Sequence, residues 1–160
     1  MTYKVVLLLG SNVGNKLAYL KFATKEISLK IGAVITTSAI YESAAWGEQE
    51  QPSFLNQVII IETKLQPLQI LEKTQIIEQK AGRIARGKWQ MRELDIDILF
   101  YEDKIVKEEK LQIPHPYIQE RFFTLAPLYE IMPEYIHPTL KKSITDLHEQ
   151  CDKSLMVKKV

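Results

Sequence analysis

The most restrictive feature of the sequence is a pair of aspartates inside the otherwise apolar segment 94–101, LDIDILFY. Its β-branched and aromatic residues predict a strand. Because side chains alternate along a strand, Asp95 and Asp97 must share one face while their apolar neighbours point to the other. Burying two like charges side by side is costly unless a cation or strong donors compensate. The fold must therefore provide a polar face here.

Carboxylate oxygens one pleat apart suit Mg²⁺, which takes one or two carboxylates and completes its shell with water and phosphate. We therefore interpret Asp95 and Asp97 as metal ligands. The alternative is a solvated sheet face on which the two aspartates are held by salt bridges.

A basic segment immediately precedes the aspartates. Guanidinium groups offer planar, bidentate donors to phosphate oxygens. Alone, such a run is usually a solvated loop, but beside paired carboxylates it indicates a bound polyphosphate. The cations, uninterrupted by any acid, are Lys80, Arg83, Arg86, Lys88 and Arg92.

The order of elements predicts an α+β, ferredoxin-like fold, β-α-β-β-α-β, with an antiparallel sheet and both helices packed on one face. Short helices in the last part of the chain are expected to cover the other face, which makes three layers, αβα. The sequence predicts strands at 3–9, 34–42, 54–63 and 94–101, short strands near 104–107 and 110–113, and helices at 17–30 and 67–81.

A length of 160 residues and a net charge of +1 predict one domain over residues 1–160, with no global field that favours nucleic acid or membranes. The apolar run at 5–9 is too short for a signal peptide or a membrane span. Cys151 is the single cysteine, so no internal disulfide is possible. We expect a cytoplasmic protein, and a monomer.

Aromatic and amide side chains form a further group. Phe54 and Asn56 share a face of a predicted strand, an arrangement suited to a planar, nitrogen-rich ring. For Phe54 or Phe123 alone, ordinary core packing is at least as good an interpretation. His115 lies in the stiff turn 113–116, a little before Arg121, and either contacts a phosphate or ribose or caps the local backbone.

Other nucleotide motifs fail. Residues 10–16, GSNVGNK, lack the spacing of a P-loop, and no GxGxxG is present. Gly-Ser with Asp-x-Asp is similar to polymerase-β-type nucleotidyltransferases, but here the two elements lie far apart in the sequence. Ferredoxin-like sheets also bind RNA through strand aromatics. Two aspartates on a central strand would repel a nucleic-acid backbone, so RNA binding is the weaker alternative.

Taken together, the motifs resemble those of the 6-hydroxymethyl-7,8-dihydropterin pyrophosphokinase family of folate biosynthesis. The similarity runs from the first strand to about Pro133, and several motifs occur in the right order. They are GSN at 10–12, YESAAWGEQEQPSFLN at 41–56, Gly82-Arg83, WQMRELDIDIL at 89–99, PHP at 114–116 and RFFTLAPL at 121–128.

The resemblance implies a ferredoxin-like fold, ATP as donor, two Mg²⁺ ions, AMP as leaving group, and a hydroxymethyl dihydropterin as acceptor. It assigns the metals to Asp95 and Asp97, and catalysis to Arg83, Arg92 and Asp97. It places around ATP the residues Gln75, Glu78, Arg86, Trp89, Ile98, Lys110, Leu111, His115 and Arg121. It places around the pterin the residues Ser43, Ala44, Trp46, Phe54, Asn56 and Phe123.

The chain departs from the family pattern in two loops. A Trp-Gly-Pro-Arg run is usual, whereas residues 89–92 are WQMR, so we expect this loop to move differently. Arg86 is the preferred further phosphate contact, with Ala85 as the competing alignment and Lys88 as a helper. Residues 43–45, SAA, replace a more proline-rich form, which makes that loop less stiff.

Overall fold

The computed structural model of the protein describes residues 1–44, 52–82, 92–154 and 157–160. The strands are β1 (Tyr3–Ser11), β2 (Ala33–Thr37), β3 (Tyr41–Ser43), β4 (Phe54–Thr63), β5 (Asp95–Tyr101), β6 (Val106–Lys107), β7 (Gln112–Ile113) and β8 (Val157–Lys159). The α-helices are α1 (Lys16–Lys30), α2 (Pro67–Lys80), α3 (Phe122–Ile131) and α4 (Ile144–Gln150), with a 3₁₀ turn at Ile118–Glu120 before α3.

The main sheet has six strands in the order β5-β1-β4-β3-β8, with β2 also paired to β4. The pairings are antiparallel, and β1 lies between β4 and β5. This is the ferredoxin-like arrangement that the order of elements predicts. A separate two-stranded sheet joins β6 to β7.

Helices cover both faces of the sheet, as predicted. Alternate residues of β1 explain why, because Val5, Leu7 and Leu9 point to one core and Val6 and Leu8 to the other. The helix residues buried in the first core are Leu20, Ala23 and Ile27 of α1 with Ile70 and Ile77 of α2. Those buried in the second core are Leu125 and Leu128 of α3 with Ile144 and Leu147 of α4.

The turn from α1 into β2 depends on a glycine. A Cβ atom on Gly32 would lie only 2.1 Å from the carbonyl oxygen of Glu62. No side chain fits at that distance, so glycine permits the end of α1 to pack directly on β4.

One predicted strand, 34–42, is wrong, because the structure divides it into β2 and β3. The regular backbone pairing with β4 is interrupted at Ser38. Its backbone N–H donates to the carbonyl of Val58 at 2.8 Å, but the Val58 N–H donates to the side-chain Oγ of Ser38, at 3.0 Å, instead of to a backbone carbonyl. The Glu130 carboxylate of α3 accepts the N–H of Ala39 at 3.1 Å. The interruption is therefore made by side chains that only the tertiary fold brings together.

The sequence interpretation also omitted β8, because its lysine-rich composition gives no strand signal. Within the described residues, no helix combines the length and apolarity needed to cross a lipid bilayer.

One cation of the basic run is engaged away from the aspartates. Lys80, at the end of α2, and Lys30 each lie 2.8 Å from Glu26 Oε1. Hydrogen bonds from Lys30 and then Lys80 lower the pKa of Glu26 to about 2 from the ordinary 4.5, against the opposing effect of burial. Lys80 therefore ties α2 to α1.

We expect Glu26→Gln to lower Tm at neutral pH, because the amide keeps the shape but loses the charge. A carboxyl with a lowered folded-state pKa contributes stability above its unfolded-state pKa and loses it as the pH falls. The difference in Tm between wild type and variant should therefore be complete above pH 4.5 and shrink toward pH 2. Thermal melts of both proteins between pH 7 and pH 2 test this pH dependence of the Tm difference.

Glu72→Gln on the exposed side of α2 is the matched control and should show a smaller difference throughout. A Glu26→Gln difference that stays constant between pH 5 and pH 2 would contradict the ion-pair interpretation.

Candidate active site

The two aspartates of β5 lie at the rim of the sheet, where solvent reaches them. The Asp97 side chain is 26% exposed. Their neighbours Ile96 and Ile98 point the other way and are buried beneath α1 and α2. The shared polar face deduced from strand alternation is therefore present, and neither carboxylate lies in the apolar interior.

A glycine connects the aspartates to the aromatic group across three strands. In the sheet register, Gly10 of β1 is opposite Asp95 on one side and Asn56 on the other. A Cβ atom on Gly10 would lie 3.2 Å from Asn56 Oδ1 and 3.6 Å from Phe54 Cδ1. Because Gly10 has no side chain, those two groups lie over β1, next to the carboxylates.

The Asn56 amide is fixed by a neighbouring strand. Asn56 is 2% exposed and Ser43 of β3 is 3% exposed. Asn56 Nδ2 donates to Ser43 Oγ at 3.0 Å. This donation leaves Asn56 Oδ1 as the oxygen above Gly10, in position to accept an N–H from a heterocycle.

His115 is neutral and oriented. Burial, with a smaller effect from the Arg121 charge, lowers its pKa to about 4. Its Nδ1 accepts the N–H of Tyr117 at 3.2 Å, so the ring proton is on Nε2. Nε2 lies 4.0 Å from Asp97 Oδ2, too far for a direct hydrogen bond. His115 therefore presents an N–H donor beside the carboxylates.

Arg121 places a positive charge beside both aspartates. Its guanidinium carbon lies 5.0 Å from the centre of the Tyr117 ring and 5.5 Å from that of Phe123. Burial lowers the pKa of Arg121, whereas the charges of Asp97 and Asp95 oppose that shift. The guanidinium thus links the carboxylates to Phe123, which was assigned to the pterin.

Further residues that the resemblance assigns to the nucleotide lie along the outer edge of β5. The Glu78 carboxylate accepts the N–H of Ile96 at 2.8 Å, and the N–H of His115 donates to the carbonyl of Leu99 at 3.1 Å. Backbone groups alternate along a strand, so the Ile98 peptide faces the same edge as that of Ile96. The Ile98 and Leu111 side chains are buried, at 4% and 8% exposure, so both offer a ligand mainly backbone atoms.

The other assigned residues are dispersed. Gln75 on α2 and Lys110 before β7 are exposed, as is Ala44 after β3, while Arg92 is half-buried. Trp46, Arg83, Arg86 and Trp89 lie outside the described residues, as do Ala85 and Lys88.

Asn12 is a residue to which the sequence interpretation gave no role. It is fully buried, its Oδ1 accepts the N–H of Arg92 at 2.7 Å, and its backbone N–H donates to the Arg92 carbonyl at 3.0 Å. Its Nδ2 donates to the carbonyl of Pro52 at 3.2 Å. Asn12 thus joins the start of the β5 segment to the start of β4. The sequence feature that could have indicated this role is the position of Asn12 in the GSN motif at 10–12.

The donor set fits a divalent cation bound together with a substrate. No cluster of three or more His, Cys, Asp or Glu side chains suited to a metal occurs in the described parts of the chain. Two carboxylates alone suit Mg²⁺, which fills its shell with water and phosphate oxygens. The α+β fold, with two carboxylates, a neutral histidine and a guanidinium near one another, is an arrangement suited to an enzyme that acts on phosphate groups.

Comparison with known proteins identifies the family. Residues 6–133 match the family model described as 7,8-dihydro-6-hydroxymethylpterin-pyrophosphokinase (HPPK). The chain belongs to this family.

Curated relatives have the same assignment. A 2-amino-4-hydroxy-6-hydroxymethyldihydropteridine pyrophosphokinase of Aquifex aeolicus is 41% identical over 144 residues, covering 89% of this chain and 88% of the relative. The enzyme of that name from Haemophilus influenzae is 40% identical and covers 94% of each chain. The family is one of ATP-dependent pyrophosphokinases, so the chain is an enzyme of this class.

A solved structure supports the fold. Wild-type HPPK-DHPS of Plasmodium falciparum superposes with a TM-score of 0.74 at 20% identity. The match covers 94% of this chain, which spans 45% of that longer chain.

We expect Asn12→Ala to lower the free energy of unfolding by about 1–3 kcal/mol, mainly because the part-buried Arg92 N–H loses its acceptor. Asn12→Asp retains the acceptor for the Arg92 N–H but brings a carboxylate oxygen to the Pro52 carbonyl, so it tests that second contact separately. Urea unfolding measures the free energy of unfolding of both variants.

Asn15→Ala is the control, because it removes only the α1 cap, a 3.1 Å bond to Ala18, and should cost about 1 kcal/mol. Equal losses for Asn12→Ala and Asn15→Ala would contradict the bridging role of Asn12.

Proposed function

We propose that this chain performs its family's reaction, transferring pyrophosphate from ATP to the hydroxymethyl group of 6-hydroxymethyl-7,8-dihydropterin and releasing AMP, in folate biosynthesis. The principal supporting observation is the row formed by Asn56, Gly10 and Asp95 across three neighbouring strands. A ring held at Asn56 would have its substituent next to the carboxylates. The acceptor and the phosphate-binding groups are therefore neighbours.

Asp95 and Asp97 would hold two Mg²⁺ ions, and Asp97 would also orient the hydroxymethyl group. When bound, the ions supply charge neutralisation on the triphosphate and a lowered hydroxyl pKa at the acceptor. Among the protein's own groups, Arg92 and Arg83 would stabilise the negative charge that grows on the phosphates.

The nucleotide would lie along the outer edge of β5. His115 would donate from Nε2 to a phosphate or ribose oxygen, and Arg121 would add positive charge. The Ile98 backbone, with the exposed Gln75 and Lys110, would contact the rest of the nucleotide. Glu78 accepts the Ile96 N–H and so keeps this strand edge in place. Leu111, Arg86 and Trp89 complete the proposed set.

The pterin would lie over Gly10, with Asn56 Oδ1 accepting from the ring edge and Phe54 and Phe123 stacking on the two faces. Ser43, Ala44 and Trp46 would form the rest of this pocket. Binding of both substrates in fixed orientation then accounts for much of the catalysis, because it converts a bimolecular step into an effectively unimolecular one.

We further propose that residues 1–160 form one pyrophosphokinase domain that works as a monomer in the cytoplasm, without nucleic-acid or membrane partners. The main sheet includes both β1 and β8, strands from the two ends of the sequence, which supports one domain.

Product identity tests the reaction. Incubation with ATP, Mg²⁺ and hydroxymethyl dihydropterin should release AMP and a pterin diphosphate, and omission of the pterin should abolish AMP release. Release of ADP would identify an ordinary kinase and refute the proposal.

We expect Arg92→Ala to reduce kcat by the equivalent of about 3–4 kcal/mol, the usual cost of removing one electrostatic donor from a transition state. Lys80→Ala is the matched control, since it removes a cation of the same run that is paired with Glu26. Steady-state kinetics should show near-normal kcat for the control. Similar kcat values for Arg92→Ala and wild type would overturn the assignment.

A further inference from the structure

Strand β8 supports β3, the short strand that carries Ser43. Val157 is opposite Ser43 and Lys159 is opposite Tyr41 in an antiparallel pairing. The Val160 N–H also donates to the carbonyl of Ile40 at 2.8 Å. Because β3 has three residues and β4 pairs with its other edge, β8 supplies one of the two pairings that hold it.

The position of β3 determines the orientation of Asn56. Ser43 is the last residue of β3, and its hydroxyl accepts the Asn56 amide at 3.0 Å. Both side chains are buried, so water cannot readily replace this contact. A displacement of β3 would remove the acceptor and allow the Asn56 amide to turn.

Side chains extend this connection to β4 and α1. Lys158 Nζ lies 3.8 Å from Glu42 Oε1, and Glu42 Oε2 accepts the Ser53 hydroxyl at 2.9 Å. Lys16 Nζ donates to the Ser53 carbonyl at 2.7 Å. Glu42 precedes Ser43, and Ser53 precedes Phe54. The contacts therefore join β8 to both strands on which the proposed pterin residues stand.

We propose that β8 is a positioning element for the pterin half of the site. It holds β3 so that Ser43 keeps Asn56 Oδ1 facing the ring. The nucleotide half stands on β5, separated from β3 by β1 and β4, and does not depend on β8. The family match ends at residue 133, so β8 lies outside it. The inference rests on the proposed function, because it takes the pterin as the ligand of Asn56.

Deletion of Val157–Val160 tests the proposal. The pterin KM should rise about tenfold, the equivalent of roughly one buried hydrogen bond, while the ATP KM stays within about twofold. Titration of pterin fluorescence in the presence of a non-hydrolysable ATP analogue and Mg²⁺ should show the same loss of affinity without turnover. Circular dichroism establishes that the variant is folded.

Lys158→Glu provides a second test that leaves the strand in place. It puts a like charge opposite Glu42 and should raise the pterin KM by about two- to threefold, as expected for an exposed ion pair. Lys159→Glu makes the same charge change opposite Tyr41 and should leave both KM values unaltered. If the deletion variant does not fold, the comparison of pterin KM between Lys158→Glu and Lys159→Glu tests the proposal, and equal values would overturn it.

An unchanged pterin KM in a folded deletion variant, or equal rises in the pterin and ATP KM values, would overturn the inference. Either result leaves the proposed reaction intact if the wild-type chain releases AMP. Failure of the wild-type chain to release AMP refutes the proposed function instead.

Discussion

The pairing of β1 with both β4 and β5 is the constraint on which the rest of the structure depends. Alternation along β1 sends Val5, Leu7 and Leu9 into one core and Val6 and Leu8 into the other, so helices must cover both faces. The same register places Gly10 between Asn56 and Asp95. One set of backbone hydrogen bonds thus organises the two cores and aligns the amide with the carboxylate. A slip of one residue would send each of these side chains to the opposite face.

The candidate site combines a rigid sheet with a balance of charge. The two aspartates lie at a solvent-accessible rim, and the positive charge of the half-buried Arg121 partly offsets their mutual repulsion. His115 stays neutral because burial lowers its pKa, so it adds a donor without a further positive charge. Asn12 connects the backbone of Arg92 to that of Pro52 and so joins the segments that lead into β5 and β4.

The sequence predicted the ferredoxin-like order and the helices α1 and α2 well, because these helices are long and have clear end signals. Asn15 caps α1, as its position suggested, and α2 ends before Gly82, whose φ of 89° favours glycine. The break between β2 and β3 was missed because Val58 and Glu130, distant in sequence, make it. Strand β8 was missed because its pairing with β3, rather than its own composition, makes it a strand.

Residues 94–101 by themselves determined that two carboxylates share a strand face, because alternation is a local property of the backbone. The motifs likewise were sufficient to indicate the family. Only the tertiary structure decided which groups meet: Lys80 with Glu26, Asn56 with Ser43, and Asn12 with Arg92. These partners are far apart along the chain, and their contacts depend on strand register and helix packing. Local sequence patterns do not encode that geometry.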